Sequence, residues 1–508
     1  MAGDTGPRMH CGQGPPAPSG GLLATGVCSA AALHTLGPSG AVSADLQIPR
    51  NDMAARKKTS KTVKRSAAKT RVAARKRATP LYFLSLRIKD IRCFGAEQLL
   101  NLSDGKGRPA PWTIILGNNG VGKTTLLQCL ALCEPQTMDP FVEERIGAFS
   151  RVAVELPRRI GLRRGAWAML AAGFHKGALD SHDGDTKSFR VDWDPASNVK
   201  RLSGVMFRKD EEHFACHGYG ATRRMGAGAL SGKVSSRNES LFQEDVPLRN
   251  AEEWLLQADY AASKAPARAK FAKANRDRIV QVLLDLLPDI DDIIFVAPGP
   301  RVPVARVEFK TPYGFVGMRD LSLGYRTLIA WMVDLASRLF ERYPGSANPL
   351  AEPAVVLVDE IDLHLHPAWQ RRLMSYLREH FPRAQFIVTA HSPLVVQSAV
   401  DANIVVLRKE GDHVVIDNNP TSVQGWRVDQ ILTSDLFELS SARSPQLESL
   451  LQERTQLLSK ARLSASDKAK VKELDAQIGF LPTGETRNER EALEIIQRFA
   501  QRVQKEGQ

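Results

Sequence analysis

A glycine-rich segment early in the chain limits the folds that this sequence can adopt. It reads Gly117-Asn-Asn-Gly-Val-Gly-Lys-Thr124 and lies between an apolar, β-branched run, Trp112–Leu116, and a leucine-rich run, Thr125–Leu132. Strand, glycine loop and helix in this order are typical of a phosphate-binding loop, or P-loop. Glycines let the backbone curl until its N–H groups point at phosphate oxygens, and the helix directs its positive end at the same anion. The segment therefore predicts an α/β P-loop NTPase fold.

The residue types in this segment predict how a nucleotide is held. Lys123 is placed to reach the β- and γ-phosphates, and the Thr124 hydroxyl is placed to ligate Mg²⁺. The other residues predicted to bind the nucleotide are Gly117, Asn118, Asn119, Gly120, Val121, Gly122 and Thr125. ATP and Mg²⁺ are the expected cofactors. The alternative, a glycine turn before an ordinary helix, is disfavoured by the Lys-Thr pair at the correct position.

A second motif, Val355-Val-Leu-Val-Asp-Glu360, ends an apolar run with two carboxylates. Continuous apolar runs are typical of parallel strands that are buried on both faces. Asp359 is predicted to hold the Mg²⁺ shell, and Glu360 to orient or deprotonate the attacking water. A strand that exits into an acidic turn is the alternative, and the P-loop upstream argues against it.

Two further segments complete an ordered series. Leu321-Ser-Leu-Gly324 opens a helical pattern before the acidic strand, and the buried strand Phe386–Thr389 leads to His391. The order of these motifs, which is P-loop, LSxG, hydrophobic-Asp-Glu and strand-His, resembles that of the ATP-binding-cassette (ABC) ATPases. Within them it resembles the branch with RecF-like and chromosome-maintenance-like heads. The resemblance implies an ABC-ATPase head in which Ser322 and Gly324 contact the γ-phosphate of the opposing subunit. It also implies that His391 senses the γ-phosphate that its own subunit binds.

The same resemblance implies a head-to-tail homodimer, or a higher oligomer, that hydrolyses ATP. Glu360, Lys123, His391 and Ser322 would be its catalytic residues, and Ser322 would serve the site of the other subunit because it cannot reach its own P-loop in this fold. Transport is not expected, since transporter ATPases keep the P-loop and the signature much closer together than Gly122 and Leu321 are here.

Three segments over about residues 81–440 resemble a narrower bacterial group. They are Tyr82–Phe94, Gly218-Tyr-Gly-Ala-Thr-Arg223 and Ile361–Gln370. The group contains the ATPase subunits of Septu-type and retron-linked antiphage systems and the overcoming-lysogenization-defect nucleases. In the first segment, Asp90 and Ile91 replace the Asn-Phe that is usual in these heads.

The third segment carries further site predictions. The resemblance implies that Asp362 is the D-loop aspartate at the dimer interface. His364 and His366 are interpreted as interface or packing residues, because no further Cys or His lies nearby to complete a metal site. No glutamine of a Q-loop is identified.

The group implies a biological function as well. The chain would be a DNA-associated ATPase of antiphage defence that gates a separately encoded effector nuclease. The nuclease relatives carry a Toprim domain after the histidine strand, whereas the 117 residues after His391 contain no Asp-x-Asp on a strand. The alternative is a housekeeping DNA repair or recombination clamp that needs no effector.

The net charge of +13 is concentrated near the N-terminus. Segment 56–77 holds eleven Lys and Arg and no acid, and removing eleven charges from +13 leaves +2. Region 1–79 is predicted to be a disordered basic arm. Its charge suits nucleic-acid phosphates, although a solvated tail without a specific role is an equal alternative. Met53 directly precedes the basic run, so residues 1–52 are expected to be untranslated.

The predicted organisation of the rest of the chain has four parts. Residues 80–133 form the N-terminal ATPase lobe, 134–290 an insert or lid with a helical subdomain, 291–425 the C-terminal ATPase lobe and 426–508 a helical region. Within the insert, Asn250–Leu287 is helical by its apolar period. In the last part, a leucine stripe is expected to form an intramolecular helical hairpin rather than a partner-binding face, followed by a helix over Glu491–Lys505.

The apolar runs and the cysteines of the chain indicate its cellular compartment. No apolar run reaches the ~18 residues that span a bilayer, so no membrane association is expected. The six cysteines include no C-x-x-C pair, which suits a reducing cytosol and predicts a cytoplasmic protein.

Overall fold

The computed structural model describes residues 80–133, 215–227, 236–264, 269–300, 303–460, 462–479 and 496, and the backbone of three strands between 167 and 204. All of them belong to one compact unit, Arg75–Gln508. The predictions for the arm 1–79 and, Ile496 apart, for the helix Glu491–Lys505 lie outside the described residues.

Strands and helices alternate along much of the described chain. The strands are β1 Leu81–Lys89, β2 Gln98–Asn101, β3 Trp112–Gly117, β4 Trp167–Phe174, β5 Thr186–Trp193, β6 Lys200–Gly204, β7 Cys216–Tyr219, β8 Asp292–Val296, β9 Arg306–Thr311, β10 Gly314–Gly317, β11 Ala354–Val358, β12 Ala384–Thr389, β13 Asn403–Glu410 and β14 His413–Asp417. The helices are α1 Lys123–Leu132, α2 Ala251–Lys264, α3 Ala269–Leu286, α4 Leu323–Arg342, α5 Pro367–Gln370, α6 Leu373–His380, α7 Pro393–Ser398, α8 Val428–Leu432, α9 Pro445–Leu458 and α10 Ala465–Ile478.

A six-stranded sheet in the order β14-β13-β3-β12-β11-β7 forms the centre of the molecule. Neighbouring strands from β13 to β7 run parallel, and β14 closes one edge as the antiparallel partner of β13. β11 and β12 are buried along their whole length, as their uninterrupted apolar sequences predict. The carboxyl ends of β3, β11 and β12 therefore meet at one edge, where α/β sheets bind ligands. The α/β prediction is confirmed.

The predicted insert, 134–290, contributes strands as well as helices. β4, β5 and β6 extend an antiparallel sheet that begins with β2 and β1. β7 lies within the same range but pairs with β11 in the central sheet. Its sequence, Cys-His-Gly-Tyr, has four residues and no apolar run, so periodicity gave no sign of a core strand. The boundaries at 134 and 290 stay predictions.

Helices cover one face of the central sheet. α2 and α3, predicted from their helical period, pack against each other and against α4, which is buried from Thr327 to Phe340. A three-stranded sheet of β8, β9 and β10 lies beside them. α1 and the β1 sheet cover the opposite face with a second apolar cluster.

The C-terminal helical region packs as a hairpin within the chain. α9 and α10 contact each other, Leu474 is buried, and Arg454 pairs with Asp475 at 2.6 Å. No helix in the described part of the chain combines the length and the apolar character that crossing a membrane requires.

Candidate nucleotide-binding site

The P-loop follows β3 and ends where α1 begins. Gly117, Gly120 and Gly122 have φ angles of +140°, +79° and +92°, which side chains disfavour. A Cβ at Gly122 would lie 2.5 Å from Cys93 Sγ and 2.8 Å from Phe94 Cε2. No side chain among the described residues caps α1, so its first N–H groups point into the loop without a competing acceptor.

Lys123 lies under this loop. Its ammonium donates hydrogen bonds to the carbonyl oxygens of Gly117 at 2.8 Å and Asn118 at 2.9 Å. Burial lowers the pKa of Lys123, while the carboxylates of Asp359 and Glu360 act in the opposite direction. The cation is therefore held between the loop and the acidic strand end.

Asp359, directly after β11, is hydrogen-bonded to one residue of α1 and one residue of β12. The Thr124 hydroxyl donates to one carboxylate oxygen of Asp359 at 2.6 Å, and the Thr389 hydroxyl donates to the other at 2.6 Å. Hydroxyl and carboxylate oxygens are the hard ligands that Mg²⁺ prefers. Thr124 and Asp359 lie together as the sequence predicted, and their donor atoms fit this ion.

Glu360 follows Asp359 in a left-handed backbone conformation, with φ at +49°. Its N–H donates to Thr389 Oγ1 at 2.7 Å, and its side chain is partly exposed. The next loop places the Asp362 carboxylate against the N–H of His391, at 3.1 Å and 3.3 Å from its two oxygens. Asp362 thus fixes the start of the segment that carries the exposed histidine.

A cavity of about 330 Å³ opens at this edge of the sheet. It brings together the P-loop, the acidic strand end and His391. Its lining residues are Arg92, Cys93, Asn119, Gly120, Gly122, Lys123, Thr124, Thr125, Asp359, Glu360 and His391.

Ser322 and Gly324 lie outside this lining. Ser322 is exposed and caps α4, accepting a hydrogen bond from the Tyr325 N–H at 3.4 Å. A Cβ on Gly324 would lie 2.5 Å from the carbonyl oxygen of His364, so the start of α4 packs directly on the backbone of the D-loop. The cavity of a single subunit therefore lacks both signature residues.

Comparison with known proteins matches two parts of the chain to families. Residues 175–397 match the family described as "AAA domain, putative AbiEii toxin, Type IV TA system", and residues 85–160 match the family described as "AAA domain". The Septu protein PtuA of Bacillus mycoides (strain KBAB4) is 28% identical over 398 residues, which is 77% of this chain and 50% of that protein. The "Retron Ec83 probable ATPase" of Escherichia coli is 37% identical over 154 residues, 30% of this chain and 27% of that one.

The chain is therefore similar to AAA-type domains and to the Septu and retron ATPases. It spans half the length of the first relative and about a quarter of the second. A solved structure, that of the SmcHead bound to the C-winged helix domain of ScpA, matches 66% of this chain and 97% of that chain, with 18% identity and a TM-score of 0.39.

Two arginines near this cavity were not predicted as site residues. Arg92 lines the cavity, and its guanidinium donates to Thr125 Oγ1 at 3.0 Å and Gln128 Oε1 at 3.1 Å. Arg223 is buried behind the acidic strand end, where it contacts main-chain oxygens. Both belong to segments that carry the family resemblance, and that was the only signal of their importance in the sequence.

The two histidines of the D-loop segment are exposed. His366 caps α5 by accepting a hydrogen bond from the Ala368 N–H at 3.3 Å, and His364 has a φ of +63°. Within the described ranges, no group of three or more His, Cys, Asp or Glu side chains could hold a metal ion. That His364 and His366 are interface or packing residues stays a prediction.

Proposed function

We propose that this chain binds ATP with Mg²⁺ and hydrolyses it. The observation that carries the proposal is that three separate segments, which supply Lys123 and Thr124, Asp359 and Glu360, and His391, meet at one cavity. These residues supply a cation, two oxygen ligands suited to Mg²⁺, a carboxylate and an imidazole at the mouth of a P-loop. Phosphoryl transfer to water uses groups of these kinds.

The contacts of Lys123 suggest how phosphates are received. Its two acceptors are carbonyl oxygens of the loop itself, and a phosphate that enters the loop would replace them as a stronger, charged acceptor. Bound beside it, Mg²⁺ would neutralise charge on the β- and γ-phosphates. Thr124 Oγ1 and an Asp359 oxygen would hold that ion, and Thr389 would keep the other Asp359 oxygen in place.

Glu360 would act on the attacking water. Its partly exposed side chain faces the cavity, while its main-chain N–H is fixed by Thr389. His391 would contact the γ-phosphate, because Asp362 holds its N–H and leaves the ring exposed at the cavity.

Ser322 would complete the site of a second subunit. It is exposed at the start of a 20-residue helix, outside the cavity of its own chain. A head-to-tail dimer would bring this serine and the N-terminus of α4 to the γ-phosphate of the partner, in two equivalent composite sites.

The variant Glu360→Gln tests the proposal. We expect it to retain ATP while losing turnover by about 10²–10⁴-fold, the usual contribution of a general base. ATP should also stabilise its dimer, measured by light scattering after size-exclusion chromatography. The control is Glu410→Gln, which changes an exposed glutamate at the end of β13. Unchanged turnover in Glu360→Gln would remove the assigned role of this residue.

The biological role that we propose is DNA-associated antiphage defence with a separately encoded effector nuclease. It is supported by the Septu and retron names of the relatives and by the eleven positive charges in segment 56–77. Plating of phage on cells that carry this gene, with and without its neighbouring genes, tests the role. Protection that needs a neighbouring nuclease supports it, whereas sensitivity to DNA damage without any effect on phage favours the repair clamp.

Deletion of residues 1–79 tests the contact with DNA. Each phosphate contact contributes about −0.9 to the slope of log K against log salt on duplex DNA. The deletion should flatten that slope and leave ATP turnover without DNA unchanged, because the nucleotide motifs all follow residue 80. An unchanged slope would mean that the arm makes no phosphate contact.

A further inference from the structure

Arg223 lies four residues beyond the end of β7 and is 2% exposed. Its guanidinium faces main-chain oxygens. One terminal nitrogen donates to the carbonyl oxygens of Gly220, at 3.2 Å, and Asp359, and the other donates to that of Glu360 at 2.9 Å. One buried side chain thus contacts the peptide groups of both carboxylate residues in the acidic motif.

The charge of Arg223 matters as well as its hydrogen bonds. Burial lowers the pKa of Arg223 to about 10, and the carboxylates of Asp359, Asp362 and Glu360 oppose that shift. The group is still a cation at neutral pH. It therefore places one positive charge behind the acidic segment 359–362, of which Asp359 and Glu360 line the cavity.

The backbone of Glu360 needs such support. A non-glycine residue with a φ of +49° persists only where its surroundings hold it. Thr389 accepts the Glu360 N–H, and Arg223 donates to the Glu360 carbonyl oxygen, so the residue is fixed on both sides. Thr389 also binds the carboxylate of Asp359, and Arg223 binds its carbonyl oxygen.

The loop that carries Arg223 is itself fixed on the P-loop helix. Gly220 packs against the carbonyl of Ser240 so closely that no Cβ would fit, and the Ser240 hydroxyl donates to Gly218 O at 3.1 Å. The neighbouring Leu241 O accepts from Gln128 of α1 at 2.7 Å. A continuous series of contacts therefore connects the helix behind the phosphates with the backbone of Glu360.

We propose that Arg223 is a positioning residue, which aims the Glu360 carboxylate at the attacking water by holding the main chain at Asp359 and Glu360. The inference rests on the proposed ATP hydrolysis. Arg223 does not line the cavity and is assigned no contact with the nucleotide.

The test compares Arg223→Gln and Arg223→Lys with Arg224→Gln in the full chain. Arg224 is the exposed neighbour of Arg223, so its variant is a matched control for the loss of one positive charge. We expect Arg223→Gln to lower kcat by about 10- to 100-fold, part of the contribution of a positioned base. Its Kd for ATP should stay within about threefold of the wild-type value, since the substitution removes no contact with the bound nucleotide. Arg223→Lys should recover part of kcat, and Arg224→Gln should match the wild type.

A double variant separates positioning from a general structural role. If Arg223 acts through Glu360, then Arg223→Gln should cause no further loss of kcat in a Glu360→Gln background, whereas independent effects would multiply. Multiplying effects, or equal losses of kcat and ATP affinity, would overturn the proposal. If Arg223→Gln does not fold, Arg223→Lys provides the same test, because a positioning role predicts that its kcat falls while its Kd for ATP stays unchanged.

The wild-type enzyme separates the two proposals. A wild type without turnover means that the proposed function has failed. A wild type that hydrolyses ATP beside Arg223 variants that do so equally fast means that only the positioning role has failed.

Discussion

The glycines of the P-loop differ in what surrounds them, and this difference can be measured. At Gly120, with a φ of +79°, an added Cβ meets nothing within 4 Å. At Gly122, with a φ of +92°, the added Cβ meets Cys93 and Phe94. The first position is restricted by backbone conformation alone, and the second by conformation and space together.

We therefore expect Gly120→Ala to lower the free energy of unfolding by roughly 1–2 kcal/mol, the cost of a left-handed residue. Gly122→Ala should cost roughly 3 kcal/mol or more, because overpacking adds to the same strain. Urea denaturation of the two variants measures the difference. Equal losses would show that Cys93 and Phe94 move aside without cost.

His217 on β7 is a second residue whose surroundings predict a measurable effect. It is 1% exposed, and its two ring nitrogens have no hydrogen-bond partner among the described residues. Burial lowers the pKa of His217 well below its ordinary value, and the positive charges of Arg338, Arg237 and Arg342 add to this. The folded chain thus holds the ring neutral, while the unfolded chain protonates it below about pH 6.5.

The sign of the pH dependence follows from this difference. Above about pH 6.5 both states are neutral at His217 and the residue adds no pH dependence. As the pH falls below that value, the unfolded state gains a proton and the free energy of unfolding decreases by up to about 1.4 kcal/mol per pH unit. Unfolding of His217→Leu between pH 7 and pH 5 should lack this component. Parallel curves for both proteins would contradict the neutral histidine.

At the scale of elements, α4 is joined to β7 by a buried polar cluster. Asp334 is fully buried, pairs with Arg338 Nε at 2.5 Å and accepts from the Tyr219 hydroxyl at 3.0 Å. The Arg249 N–H donates to the other Asp334 oxygen at 3.3 Å. An ion pair of this kind stabilises weakly as a whole but strongly penalises the loss of one partner.

Arg338→Met should therefore lower the free energy of unfolding by about 3–5 kcal/mol, because it leaves the Asp334 charge buried without its cation. Adding Asp334→Asn should recover part of the loss, since the neutral amide removes the buried charge and its one oxygen can still accept from the Tyr219 hydroxyl. Guanidinium denaturation of the single and double variants checks this. A double variant that is less stable than Arg338→Met would contradict the charge argument.

Strands and helices differ in how plainly their own residues encode them. β11 and β12 were predicted because a strand buried on both faces needs an apolar run, and such runs are visible in sequence. α2 and α3 followed from helical period. β7 was missed because its four residues include His217 and Gly218 and form no apolar run, and because its pairing partner β11 is more than 130 residues away in the sequence.

The residues of the candidate site likewise differ in whether the sequence predicts them. Lys123, Thr124, Asp359 and Glu360 were predicted because their chemistry sets their spacing from glycines and strand ends, and the structure brings them to one cavity. Arg223 and Thr389 were not assigned roles, because they act on main-chain and carboxylate groups brought near only by folding. No local pattern encodes such a contact.

At the scale of the whole molecule, the proposed dimer makes a prediction about mixtures. A Lys123→Met subunit has a defective P-loop, and a Ser322→Arg subunit has a defective signature. In a mixed dimer both defects fall in one composite site, and the other site is intact. Mixing the two inactive proteins in equal amounts should therefore restore about a quarter of wild-type turnover, if subunits exchange randomly.

Steady-state ATP hydrolysis after subunit exchange measures this complementation, and each variant alone is its control. No recovery at any mixing ratio, with exchange verified by a fluorescent label, would contradict the composite site.

The close packing of Gly324 on His364 has a genetic consequence. In the proposed dimer the start of α4 would serve the partner's site, and the Asp362 loop, which binds the N–H of His391, would serve the subunit's own site. A side chain at position 324 would push these two segments apart and damage both sites of any dimer that contains one such subunit. In a cell that also carries the normal gene, a Gly324 allele would be dominant, whereas a Lys123 allele would leave one site of each mixed dimer at work.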